Sequence, residues 1–242
     1  MHKTNLLLSS YLLLAASILP LGSAHAEDAK GSIKPTLPNA DTGQLIYNEG
    51  KGEAAACQGC HGEKALGMDT MGAPRLANIG QAYIIKQLED FSDNKRTPEG
   101  VGAAMNDFAK ALNEQDRRDL AVFLDNLELV DDPSDLKALA ADGVKVGDPA
   151  LGRIIVTKGI KGKLPACQDC HGFNGRASRF PRINQQKYVY LINQLNAWRS
   201  GSRANDLEVE KVGIMRGIAK KLSDDDILNI AAYLSTASIA AP

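Results

Sequence analysis

Two runs of the chain bring thiols and an imidazole together at fixed spacing: Cys57-Gln58-Gly59-Cys60-His61 and Cys167-Gln168-Asp169-Cys170-His171. Thiols three residues apart can each add to one of the two vinyl groups of a haem. The adjacent histidine then falls under the iron, so Cys-x-x-Cys-His is the attachment signature of c-type haem. A zinc site would need further Cys or His ligands. The chain has only four of each, and the remaining histidines, His2 and His25, lie in its first 26 residues. The motifs therefore predict two covalently attached haem c groups, one on Cys57 and Cys60 and one on Cys167 and Cys170.

An iron held by a proximal histidine takes His, Met, another ligand or nothing on its far side. Once His2 and His25 are set aside, no spare histidine remains within the chain for bis-His ligation. The second half holds a single methionine, Met215, 44 residues beyond His171. In the first half Met68, Met71 and Met105 compete, and Met105 lies the same 44 residues beyond His61. The match selects His61 with Met105 and His171 with Met215 as axial pairs, leaving Met68 and Met71 as packing residues. Methionine is a soft sixth ligand that raises the potential. With both axial positions filled, such an iron is suited to passing single electrons and poorly suited to binding oxygen or peroxide.

The elements that position these residues occur twice, and internal repetition is the first thing to establish in such a chain. Pro74-Arg75-Leu76 returns as Pro181-Arg182-Ile183, Gln87-Leu88 as Gln194-Leu195, and Arg96 as Arg203. Upstream, Gly43 and Ile46 match Gly152 and Ile155. Each copy reads as helical: 41–49 and 149–157 open the two units, and 82–91 and 187–199 are amphipathic. The last helices begin at Asn113-Glu-Gln-Asp116 and Ser223-Asp-Asp-Asp226, which resemble capping boxes. Gly43 and Gly152 mark where the first helix of each copy crosses the last, near Phe123 and Tyr233. The carbonyls of Pro74 and Pro181 are candidates to orient the proximal imidazoles, and Arg75 and Arg182 to pair with haem propionates. No run alternates convincingly as a strand, so an all-α fold is expected.

The chain is exported on this reading. A short positive start, an apolar run over 6–21 and Ala24-His25-Ala26 form a signal peptide over 1–26,. The run is short for a membrane span. Residues 27–130 then form a first domain, 131–148 an exposed linker with a helical turn over 136–141, and 149–242 a second domain. An aromatic share of 5% is thin for small cores, which suggests that something besides side chains fills them. From 27 to 130 there are 11 Lys/Arg against 17 Asp/Glu, and from 149 onward 14 against 7. Such a dipole steers docking and carries no information about fold. The basic excess is not clustered with aromatics, which excludes nucleic-acid binding.

The two Cys-x-x-Cys-His-Gly motifs, the Pro-Arg-Leu/Ile loops, the Gln-Leu-x-x-aromatic helices and Met-x-x-x-Ala-x-x-Leu leading into Ser-Asp-Asp-Asp together resemble dihaem cytochrome c4. The resemblance implies two tandem class I cytochrome c domains, each wrapped around one haem and related by a pseudo-twofold, with propionate edges close enough for internal electron transfer. It implies a periplasmic, freely diffusing or loosely membrane-associated carrier between a quinol-oxidising complex and a terminal oxidase, without catalytic residues or a small-molecule substrate. The alternative is the electron-accepting subunit of a dehydrogenase that oxidises, for instance, sulfide or an alcohol. The longer loop at 63–73 and the Asp-rich linker depart from the family pattern.

Overall fold

Asn39 and Asp148 start equivalent helices for the same reason: each side-chain oxygen accepts from two backbone N–H groups of the first turn,. The computed structural model describes residues 36–172, 180–209 and 212–239; the expected signal peptide lies outside them. In chain order the helices are α1 (Ala40–Glu49), α2 (Gln58–His61), α3 (Gln81–Ser92), α4 (Ala104–Ala111) and α5 (Glu114–Asn126). Then follow α6 (Leu136–Ala141), α7 (Pro149–Lys158), α8 (Gln168–His171), α9 (Tyr188–Ser200), α10 (Ile214–Ala219) and α11 (Asp224–Thr236). The one sheet among the described residues is a two-residue antiparallel pairing, β1 (Glu208–Val209) with β2 (Val212–Gly213). Runs of two residues are too short to show alternation. Apart from that hairpin and three isolated bridges, the regular structure among the described residues is helical, as expected.

Both capping boxes form. Asn113 with Asp116 closes the start of α5 and Ser223 with Asp226 the start of α11, each side chain accepting from the other residue's backbone N–H,. The last helix of each copy then packs across the first, α5 on α1 and α11 on α7. Glycine is required at both crossings. A Cβ on Gly43 would stand 2.1 Å from the Asp119 carbonyl oxygen and 2.9 Å from Phe123 Cβ. On Gly152 it would stand 1.8 Å from the Asn229 oxygen and 2.9 Å from Tyr233 Cβ. Two apolar cores result, one around Ile46, Tyr47, Leu120 and Leu124 and one around Val156, Tyr188, Ile227 and Leu234.

The segment between the copies is exposed along much of its length, but it is not a free tether. Ser134 is buried, its N–H donating to the Ser235 carbonyl at 3.0 Å. Asp131 accepts from the Ile239 N–H at 3.1 Å, and Tyr188 donates to the Lys145 carbonyl at 2.9 Å. Leu139, on the helical turn α6, joins the second core. A segment rich in Asp and Gly is thus fastened onto the second copy by backbone groups, which composition does not reveal.

A pseudo-twofold relates the two copies. Arg96 donates to Gln87 of its own copy at 2.7 Å and to Tyr190 and Gln194 of the other at 3.1 and 2.9 Å. Its counterpart Arg203 donates to Gln194 of its own copy at 2.6 Å and to Tyr83 and Gln87 of the other at 3.0 Å each.

Candidate functional site

The two histidines sit at the ends of the short helices that follow the first cysteine of each motif. His61 Nδ1 is 2.9 Å from the Pro74 carbonyl and His171 Nδ1 is 2.9 Å from the Pro181 carbonyl. A carbonyl can only accept, so Nδ1 carries the proton and Nε2 presents a lone pair. Burial pushes both imidazole pKa values down, against the opposing effect of those bonds. The neutral ring is therefore the stable form, which is the form a metal requires. Phe180 stands edge-on to His171, with ring centroids 5.9 Å apart.

Burial raises the Cys57 and Cys167 thiols to about 11, whereas reactive Cys-x-x-Cys thiols are shifted downward.

Met105 enters on α4, whose neighbouring Asn106 donates to the carbonyls of Phe91 and Arg96 at 2.8 Å each. Met215 enters on α10. There Asp206 accepts from the Arg216 backbone N–H at 3.0 Å and from its Nε at 2.8 Å. Each methionine is thus carried by a short helix whose start is tied to the preceding loop.

All of this converges on one continuous cavity of about 1340 Å³. A pocket for one small ligand holds roughly 300–1,000 Å³, so the space suits two large groups better than one. Cys57, Cys60, His61 and Met105 line it from one copy, and Cys167, His171 and Met215 from the other. Cys170 is exposed and is not among the lining residues. Met71 also lines the cavity, while Met68 does not.

The electrostatics fit an anionic occupant. Arg96 and Arg203 line the cavity at 7% and 6% exposure, and among the described residues their guanidinium groups donate to Gln87, Gln194, Tyr83, Tyr190 and Asn205, all neutral. Each lies over an aromatic ring, Arg96 over Phe91 at 4.6 Å and Arg203 over Trp198 at 4.2 Å,. Burial and the neighbouring Arg203 charge push the Arg96 pKa down. Burial would raise the Tyr190 phenol, but the two guanidinium charges outweigh it and bring it down. Two buried cations facing each other, neither donating directly to a carboxylate among the described residues, suit an anionic occupant such as the propionates of haem,.

Arg75 is placed differently from expectation. Its Nε and Nη2 donate to the carbonyls of Ala77 at 3.3 Å and Val130 at 2.9 Å, and it does not line the cavity. Its buried Nη1 has no partner among the described residues, so one further acceptor could be held there. Arg182 does border the cavity. The recurrence of Arg96 as Arg203 was the available signal for the arginines that line the site; nothing local distinguished them from surface charges.

The cytochrome c family model matches residues 40–128 and, a second time, 157–238. The chain belongs to the cytochrome c family. A thiosulfate dehydrogenase electron acceptor of Stutzerimonas stutzeri is 34% identical over 200 residues, 81% of this chain and 86% of that one. The crystal structure of reduced cytochrome c4 from Pseudomonas stutzeri matches with a TM-score of 0.62 at 30% identity, over 82% of this chain and 98% of that one. A thiosulfate dehydrogenase of Marichromatium purpuratum matches with a TM-score of 0.69 at 29% identity. That match covers 83% of this chain but only 41% of that longer one. This chain is a dihaem, cytochrome c4-like electron-transfer protein with two tandem domains and two covalently attached haem c groups.

Proposed function

We propose that this chain is a periplasmic single-electron carrier and not an enzyme, with haem attached through Cys57 and Cys60 and through Cys167 and Cys170. Its axial pairs are His61 with Met105 and His171 with Met215, in domains spanning 27–130 and 149–242 joined by 131–148. A haem so held supplies an iron that alternates between ferric and ferrous states. The chain's own residues do the rest. The Pro74 and Pro181 carbonyls fix each imidazole with Nε2 forward, and the short helices bearing Met105 and Met215 bring the thioethers to the same cavity. Arg96 and Arg203 provide positive charge for propionates between the domains.

The observation that carries this reading is the pair of neutral, Nδ1-bonded histidines on one cavity that also receives Met105 and Met215. Carbon monoxide added to the ferrous protein at neutral pH tests it: no rapid binding is expected at either haem. Rapid binding at one haem would mean an open iron there and would count heavily for an enzyme.

For partners, the carrier route runs from a quinol-oxidising complex to a terminal oxidase. The likeness to a thiosulfate dehydrogenase electron acceptor favours a second reading, that of an acceptor for a periplasmic dehydrogenase. The acidic first domain and the basic second provide distinct docking ends for either. Cross-linking in periplasm separates the two: a soluble dehydrogenase captured through one domain favours the second, and a quinol-oxidising complex the first. Among the described residues no helix is long and apolar enough to cross a membrane.

A further inference from the structure

The proximal loops of the two domains are held by the opposite domain, and not equally. The peptide that orients His61 has Pro74 on its carbonyl side and Arg75 on its N–H side. Its carbonyl accepts from His61 Nδ1 at 2.9 Å, and its N–H donates to Gln186 Oε1, in the other domain, at 2.7 Å. Gln186 Nε2 donates in turn to the Arg75 carbonyl at 3.0 Å, so one buried side-chain amide clamps Arg75 at two points. In the second domain the corresponding peptide carries Pro181 and Arg182. Its carbonyl accepts from His171 Nδ1 at 2.9 Å, and its N–H donates to the Ile79 backbone carbonyl at the longer distance of 3.3 Å. Ile79 stands where Gln186 stands in the repeat, 107 residues apart.

We infer that Gln186 is a positioning residue that sets the redox potential of the first-domain haem from the second domain. Donating a hydrogen bond from its N–H polarises a peptide group and strengthens its carbonyl as an acceptor, by about 10–30% per bond in a chain. A stronger pull on His61 Nδ1–H gives the imidazole more anionic character and makes it a more basic ligand. Ferric iron gains more from that than ferrous iron, so the potential falls. The weaker Ile79 contact leaves His171 less affected, and the two chemically identical ligand sets are pushed apart. This rests on His61 being an axial ligand.

The test is Gln186→Leu in the full dihaem protein, with each potential followed by haem-resolved NMR during a redox titration. At fixed applied potential the ferrous-to-ferric ratio of the first haem rises about threefold, which is about 30 mV for a one-electron couple; the second haem stays put. The Arg75 amide proton moves upfield in the ferrous spectrum. Gln186→Glu, which keeps an acceptor on that N–H, returns the first potential to the wild-type value or below. An unmoved first potential, or both potentials moving together as they would if the interface merely loosened, overturns the inference. The wild-type protein gives a check that needs no variant: the Arg75 amide proton lies further downfield and exchanges more slowly than that of Arg182, and the reverse order also overturns it. Ring-current shifts of the His61 ring protons report ligation separately. If they are present and the potential is unmoved, the relay alone fails; if they are absent, the axial assignment fails.

Discussion

Replacing Met215 with alanine lowers the potential of the second haem and opens its iron to carbon monoxide. Met215 is the sole methionine of its domain and lines the cavity on α10, whose start is held by Asp206. With Met215 as the proposed sixth ligand, removing the thioether would delete a soft ligand that favours the ferrous state. The ferrous-to-ferric ratio at fixed potential should fall tenfold or more, which is about 59 mV per decade for one electron. The first haem should keep its potential, because its ligands lie on other elements. Met71→Ala is the informative control, since Met71 borders the same cavity. It should change neither potential nor carbon monoxide binding. If Met71→Ala opens the first iron and Met105→Ala does not, the sixth ligand of that domain has been misassigned.

The second large effect is on stability. Gly152→Ala should cost about 3 kcal/mol, the upper part of the usual range for overpacking. The added carbon would stand 1.8 Å from the Asn229 carbonyl oxygen, and backbone cannot rotate aside as a side chain can. Helix α7 must lift from α11, loosening the core that holds His171. For a chain of this size the melting temperature should drop by about 6–12 °C. Gly43→Ala, where the approach is 2.1 Å to the Asp119 oxygen, should act alike in the first domain. Gly59→Ala provides the contrast. No atom lies within 4 Å of the Cβ it would gain, and the repeat carries Asp169 at the same place. Its melting temperature should stay within a degree or two of the wild type, as measured by calorimetry.

These cases show where the sequence was readable. The glycine crossings, the capping boxes and the proline carbonyls that orient the imidazoles are all set by local geometry repeated in two copies, so spacing alone located them. The link from Gln186 to Arg75 spans 111 residues and joins a side chain to a backbone group; no periodicity encodes such a contact. The burial of Arg96 and Arg203 is hidden for a related reason. Arginine is usually exposed, and these two are bound in part by groups of the facing domain. The segment at 131–148 looked free because Asp, Gly and Ser are turn formers, yet its anchors are the Ser134 N–H and the Asp131 carboxylate. Composition describes what a segment would do alone, and this one is never alone.

The shared glutamines bear on how such a molecule can change over generations. Gln87 Oε1 serves Arg96 of its own copy and Arg203 and Asn205 of the other, and Gln194 Oε1 serves Arg203 and Arg96. One substitution at either position strips acceptors from arginines in both halves at once. The copies have diverged widely in charge, yet at this seam neither can drift without its twin. A duplication that began as two interchangeable parts has become one inheritance unit, in which losing either half would strand the other.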